Sequence, residues 1–135
     1  MQLHSIAVSS VDRLEAAFEE ATKMRCNALA LFADPLANAN RKQIADLATR
    51  ARLPSIYPWS EFVDNGGLMS YGPNFAAVGR DVARYLDKIL RGTKPADLPV
   101  EQPSKFELVI NLGTAKALGL TIPHVVLVRA ERVIR

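Results

Sequence analysis

The sequence predicts an α/β fold, a mainly parallel sheet flanked by helices, and three observations carry the prediction. Short apolar runs alternate with stretches whose apolar residues recur at helical spacing. One run, Ala28 to Ala33 (ALALFA), is apolar without alternation, as expected of a parallel strand covered on both faces. In the third, Asn74 opens a stripe of Phe75, Val78, Val82, Leu86, Ile89 and Leu90 that Gly92 closes, the pattern of a capped amphipathic helix.

In chain order, Leu3 to Val8 (LHSIAV) reads as a first strand. Asp12 with Glu15 resembles a capping box, and Leu14, Phe18, Ala21 and Met24 follow on one helical face. Asn27 breaks that helix ahead of the Ala28 to Ala33 strand, which Asp34-Pro35 ends. A second helix starts at Asn40 and places Ile44, Leu47, Ala48 and Ala51 together; Leu53-Pro54 closes it. Ser55 to Trp59 is a third strand, Ser60 to Asp64 a single helical turn, and Asn65-Gly66-Gly67 a sharp turn. Leu68 to Tyr71 is a fourth strand, ended by Gly72-Pro73, before the long helix from Asn74. Pro95, Pro99 and Pro103 make Thr93 to Ser104 an extended connector. Lys105 to Ile110 is a strand, Asn111 caps a short helix ending at Gly119, and His124 to Val128 is a last apolar segment. The chain is therefore expected to form one α/β unit: a lobe over residues 1–92, a connector over 93–104 and a terminal segment over 105–135.

Composition narrows the function classes. At 135 residues, 49% hydrophobic and 23% charged, the chain is ordinary globular material rather than a disordered segment. Its formal net charge of +3 is too small and too scattered to argue for nucleic acid. No apolar run approaches the roughly 20 residues of a membrane-spanning helix. The one cysteine, Cys26, excludes an intramolecular disulfide and a multi-cysteine metal site. His4 and His124 lack metal-site spacing, and neither a nucleophile elbow nor a phosphate-binding loop occurs, so neither an enzyme nor a cofactor is expected. The start Met1-Gln2-Leu3-His4 has no basic stretch and apolar core, so as given the chain is expected to be cytoplasmic.

Ligands of open parallel sheets bind beyond the carboxyl ends of the strands. There the sequence places Ser9 and Ser10, then Asp34, then Tyr57 to Glu61, then Ser70 to Asn74. Asp34 could pair with an ammonium group, while Tyr57, Trp59 or Tyr71 could cover an aromatic moiety. The same residues also read as turn and capping signals: Asp-Pro opens helices, and Ser-Tyr-Gly-Pro-Asn is a turn followed by a cap.

Gly66 to Asn74 (GGLMSYGPN) and Leu98 to Pro123 (LPVEQPSKFELVINLGTAKALGLTIP) resemble the substrate-binding proteins of ABC transporters, the group described as tryptophan/tyrosine-type. Arg84 to Pro99 (RYLDKILRGTKPADLP) matches the same family, as do Ala33-Asp34-Pro35, Arg52-Leu53-Pro54 and Glu61-Phe62. The resemblance covers almost the whole chain and corresponds to the family's C-terminal portion. It implies a type I periplasmic-binding-protein fold, two α/β lobes joined by crossing segments, of which this chain is one lobe plus crossover segments. Gly113 stands where the family usually has lysine or arginine, and His124 replaces a common proline.

The implied function is non-catalytic binding of a small, amino-acid-like ligand for an ABC permease, in relatives that are periplasmic or membrane-anchored. The expected ligand residues are Asp34, Tyr57, Glu61, Ser70, Tyr71 and Asn74. Without the first lobe an apolar face is left open, so a homo-oligomer is expected, with exchange of the Thr93 to Arg135 segment as one route. The alternative is a cytoplasmic, self-associating interaction or regulatory module that has lost the transport role.

Overall fold

The structure, a computed structural model, describes residues 2–103 and 105–135. Its centre is a five-stranded sheet in the order β1 (Leu29–Ala30), β2 (Ser55–Tyr57), β3 (Met69–Pro73), β4 (Phe106–Asn111) and β5 (Arg132–Ile134). The first three strands are mutually parallel, β4 is antiparallel to β3, and β5 is parallel to β4. The helices are α1 (Leu14–Lys23), α2 (Pro35–Ala39), α3 (Arg41–Arg50), α4 (Ser60–Asp64), α5 (Phe75–Leu90), α6 (Leu112–Ala117) and α7 (His124–Leu127). The mainly parallel α/β prediction holds.

The core sits on one face of this sheet. Leu14 of α1, Ile44 and Leu47 of α3, Phe62 of α4 and Tyr57 of β2 form one buried cluster. The Tyr57 and Phe62 rings lie nearly parallel with centroids 4.7 Å apart, an arrangement that contributes beyond area burial alone. Helical spacing explains the selection. Ile44, Leu47 and Ala48 fall on one side of α3 and are buried, while Lys42 and Asp46 pair on the solvent side.

Residues paired across neighbouring strands share a face, and the two faces here differ sharply. The face carrying Tyr57 also carries Ser55, Ser70 and Val109, all buried beneath helices. The opposite face presents Ala30, Ile56, Met69, Tyr71, Leu108 and Phe106, without a single charge, although Ile110, which pairs with Met69 on this face, is fully buried. Of these, Tyr71 is 58% exposed and Phe106 46%. Connection handedness explains the asymmetry. Strands β1 to β3 step across the sheet in one direction, and right-handed crossovers then put every connecting helix on the same side.

That geometry corrects two sequence expectations. The Ala28 to Ala33 run was expected to be covered on both faces, but only Leu29 and Ala30 form the strand, and Ala28, Ala30 and Phe32 are exposed. Leu3 to Val8 was expected to be a strand. It forms no ladder, because a strand needs a neighbour to pair with, and β1 bonds only to β2.

Smaller differences are local. Asp34-Pro35 does not merely end β1; it opens α2, with Asp34 as N-cap and Pro35 at the first helical position. The Asp12–Glu15 capping box is replaced by a 3-10 turn over Val11–Arg13, whose N-cap Ser10 makes no side-chain bond. Gly72-Pro73 does not stop β3, which runs on to pair Pro73 with Phe106. The last apolar segment, to which the sequence assigned no conformation, forms α7, and β5 follows it. Arg132 of β5 bonds Asp64 of α4 at 2.7 Å, both half-exposed, so the pair contributes modestly. The connector contains a 3-10 turn at Pro95–Asp97; its last residue, Ser104, lies outside the described residues.

Helix α5 is the best-formed element and the least covered. Gly92 ends it with a φ of 101°, a backbone conformation that favours glycine. None of its residues is buried, and Val82, Leu86 and Leu90 stand open. Tyr85 donates a hydrogen bond to the Pro99 carbonyl and Arg84 bonds Glu101, tying the connector back along the helix. No helix among the described residues is long and apolar enough to cross a membrane.

Candidate functional site

Chain exits at the carboxyl ends of β1, β2 and β3 converge on a small concavity of about 210 Å³. Asn38 of α2, Arg41 of α3, Trp59 and Glu61 after β2, and Phe75 at the start of α5 line it. Trp59 and Phe75 form its aromatic wall, with ring centroids 6.0 Å apart and planes inclined by 47°. Trp59 rests in turn on Phe62 at 6.3 Å, so this wall is backed by the core cluster. Polar groups of both signs face the aromatic pair. Glu61 Oε2 is buried without a hydrogen-bond partner, and a buried polar atom left unpaired is costly unless something completes it. The Arg41 guanidinium donates to the Asn38 carbonyl at 2.9 Å, which uses one of its five N–H donors.

Of the six residues expected to bind ligand, the structure brings one, Glu61, to this concavity. Asp34 accepts a hydrogen bond from the Ala37 amide at 3.0 Å and caps α2, the helix that carries Asn38. Tyr57 stacks in the core. Burial pushes its phenol above the usual range, and the neighbouring Ser55 side chain pulls it back slightly without forming a well-shaped hydrogen bond. Ser70 is buried beside Tyr57 in the ladder, its hydroxyl likewise unpartnered. Tyr71 points to the bare face of the sheet and stacks on Phe106. Asn74 accepts from the Ala77 amide, capping α5, and donates to Glu107 at 2.7 Å. It therefore fixes the first turn of the helix that presents Phe75. Replacing Asn74 with alanine removes both bonds and is expected to cost about 1 kcal/mol, readable as a lowered urea midpoint.

Asn38, Arg41 and Phe75 were not among the expected site residues. They lie on helices whose orientation only tertiary packing sets, although Trp59 was recognisable as a candidate aromatic cover. A wider groove lies at the other end of the sheet, between α3 and α6, lined by Asp46, Thr49, Arg50, Gly66 and Thr114. It has no aromatic wall. Among the described residues no group of three His, Cys, Asp or Glu side chains could hold a metal ion.

A one-sided cleft at the carboxyl ends of parallel strands, walled by two aromatics and flanked by a carboxylate and a guanidinium, lies where open α/β sheets commonly place their ligand sites. The comparisons sharpen the class. Residues 1–134 match the family model for ABC transporter substrate binding protein, and the chain belongs to that family, whose members bind rather than catalyse and usually work outside the cytoplasm. A Streptococcus pneumoniae ABC domain solved in complex with L-Trp is 27% identical, with a TM-score of 0.88 over 97% of this chain and 44% of its own. A conserved domain protein from Vibrio cholerae is 25% identical, with a TM-score of 0.85 over 95% of this chain and 43% of its own. A ligand-free, open substrate-binding protein with adhesive properties from Clostridium difficile shares the fold at 22% identity and a TM-score of 0.68. No curated protein matches. The chain thus spans less than half the length of these solved relatives.

Proposed function

We propose that the chain forms one wall of a substrate-binding cleft and takes a small, amino-acid-like ligand without chemistry. The observation that carries this reading is the convergence of Trp59, Phe75, Glu61 and Arg41 on one concavity. An aromatic or apolar side chain sits against Trp59 and Phe75, the ammonium meets Glu61, and the carboxylate meets Arg41. Asp34 and Asn74 hold α2 and α5 in place around the ligand, Tyr57 and Ser70 underlie the floor, and Tyr71 serves the adjoining sheet face. The L-Trp held by the pneumococcal relative makes aromatic amino acids the first class to try. In an assembled two-lobed protein, closure on the ligand presents it to an ABC permease. Residues 1–92 then act as the lobe, 93–104 as the connector and 105–135 as the segment returning to the sheet.

The volume supports a half-site. About 210 Å³ falls below the roughly 300 Å³ at which small-molecule pockets begin, so one wall alone should bind weakly. Calorimetry or NMR titration against the twenty amino acids is expected to show millimolar binding confined to aromatic members. No response from any of them at millimolar concentration defeats the reading.

A second reading rests on α5. Its uncovered Val82, Leu86 and Leu90 favour self-association, by apposition of two α5 faces or by exchange of the 93–135 segment. This is the contact expected of an interaction module. Light scattering during size exclusion is expected to report a dimer at micromolar concentration; a clean monomer rejects self-association and leaves the ligand reading standing.

A further inference from the structure

We propose that the amino end of the sheet, the pole opposite the ligand cleft, is a docking surface for an anionic, phosphate-bearing lipid bilayer. Its contact residues are Lys23, Arg25, Arg50 and Arg52, which lie where α1 and α3 lead into β1 and β2.

The reason lies in the backbone. Helices α1, α3, α4, α5 and α6 all end the same way: the residue after the C-cap turns left-handed, and two amides fold back onto carbonyls of the last turn. After α4, Gly66 and Gly67 donate to the Val63 and Phe62 carbonyls, and the ends of α5 and α6 repeat the pattern with Gly92 and Gly119. After α1, Arg25 and Cys26 donate to Thr22 and Ala21, both at 3.0 Å. After α3, Arg52 and Leu53 donate to Thr49 and Ala48 at 3.1 and 2.9 Å. The same backbone task thus falls to glycine at φ 96°, 101° and 72°, but to arginine at φ 55° and 53°. Glycine takes this conformation freely, whereas a Cβ is penalised there. Only the arginine side chains distinguish these two ends, and residues held in disfavoured backbone regions gather at functional surfaces.

The two exceptions are neighbours. Helix α1 packs on α3, and Leu29 of β1 pairs with Ser55 of β2, so Arg25 and Arg52 enter adjacent parallel strands at one pole. Nothing inside the fold compensates the strain. Lys23, Arg25, Arg50 and Arg52 are all exposed, and among the described residues none makes an ion pair or a side-chain hydrogen bond. The carboxylates around them are engaged or set back. Arg132 holds Asp64 at 2.7 Å, Lys42 holds Asp46 at 3.1 Å, and Glu19 and Glu20 lie one turn back along α1.

The spread of the four cations favours a surface over a small ion. The groove between α3 and α6 takes in Arg50 but not Lys23, Arg25 or Arg52, so no single pocket gathers them. Cations set on two adjacent turns suit an array of lipid phosphates, each drawn to its own partner. Met24, 41% exposed between Lys23 and Arg25, adds an apolar contact at headgroup depth. The Trp59–Phe75 concavity lies at the carboxyl ends of the strands, so a lobe seated on this pole keeps its cleft facing away from the bilayer.

The test is co-sedimentation of the 135-residue chain with phosphatidylcholine vesicles, either plain or containing about 30% phosphatidylglycerol. Binding is expected to the anionic vesicles alone, and it should fall as salt rises from about 0.05 to 0.3 M. Arg25→Gly combined with Arg52→Gly should weaken binding about tenfold or more and also raise Tm, because glycine relieves the left-handed backbone. Arg25→Lys with Arg52→Lys keeps the charge and should keep most of the binding, without the rise in Tm. Arg80→Ala with Arg129→Ala removes equal charge elsewhere and should leave binding within about twofold. No binding to anionic vesicles, undiminished binding by the glycine pair, or an equal loss in the Arg80 and Arg129 pair overturns the proposal. So does a lowered Tm in the glycine pair, since the arginines would then be structural. Displacement by millimolar inorganic phosphate at fixed ionic strength also overturns it, in favour of a small-anion site.

Discussion

Gly72→Ala is expected to lower stability by about 3 kcal/mol, a fall in Tm on the order of 10 °C. A Cβ built at Gly72 would lie 1.9 Å from the Pro58 carbonyl oxygen. The obstacle is backbone, so no rotamer change relieves it; β2 and β3 must part or twist at their carboxyl ends. Gly79 provides the internal control. It lies within α5 with nothing within 4 Å of an added Cβ, so Gly79→Ala should stabilise by up to about 1 kcal/mol through helix propensity. Urea unfolding of both variants checks the pair, and an unchanged midpoint for Gly72→Ala would show that the close approach is not part of the folded protein. The consequence reaches the site, because Pro58 immediately precedes Trp59. The missing side chain at position 72 lets the Pro58 peptide sit against β3, and that seating sets where the Trp59 ring emerges.

Features readable from the sequence were those decided within a few residues. Asn74, Asn111 and Gly92 act on their own helix ends, so local pattern places them correctly. Leu3 to Val8 and the Ala28 to Ala33 run carry strand composition, but a ladder depends on what lies alongside, and one side of β1 has no partner among the described residues. Strand β5 escaped notice because three residues beginning with Arg132 give almost no periodic signal. At the site, Tyr57 was expected to meet ligand, but strand alternation puts it on the face of Ser55 rather than of Ile56, and that shared face is the buried one. Arg41 and Asn38 gave no comparable signal. Their approach to Glu61 depends on how α2 and α3 fold back over the strand ends, a tertiary outcome.

Ligand binding should respond most strongly to Trp59 and Glu61, and in separable ways. Trp59→Ala removes the larger ring of the aromatic wall and is expected to weaken binding of an aromatic amino acid at least about tenfold, given the 1.5–3 kcal/mol range for burying a large apolar group. Because Trp59 also rests on Phe62, circular dichroism and Trp59→Leu must accompany it; Leu keeps bulk against Phe62 while losing the aromatic face. Glu61→Gln keeps size and removes charge. A charge-assisted bond to a ligand ammonium contributes about 1.5–3 kcal/mol, so affinity for a zwitterionic amino acid should fall by roughly ten- to a hundredfold. The same variant should leave the weak binding of a neutral indole unchanged, since indole has no ammonium for the unpartnered Oε2 to receive. NMR titration following the Phe75 ring reads all of these. Equal losses for indole and for the amino acid in Glu61→Gln would mean that Glu61 shapes the pocket rather than pairing with charge. An undiminished amino-acid affinity in that variant would remove the ammonium-binding role from position 61 and leave the aromatic wall as the recognition element.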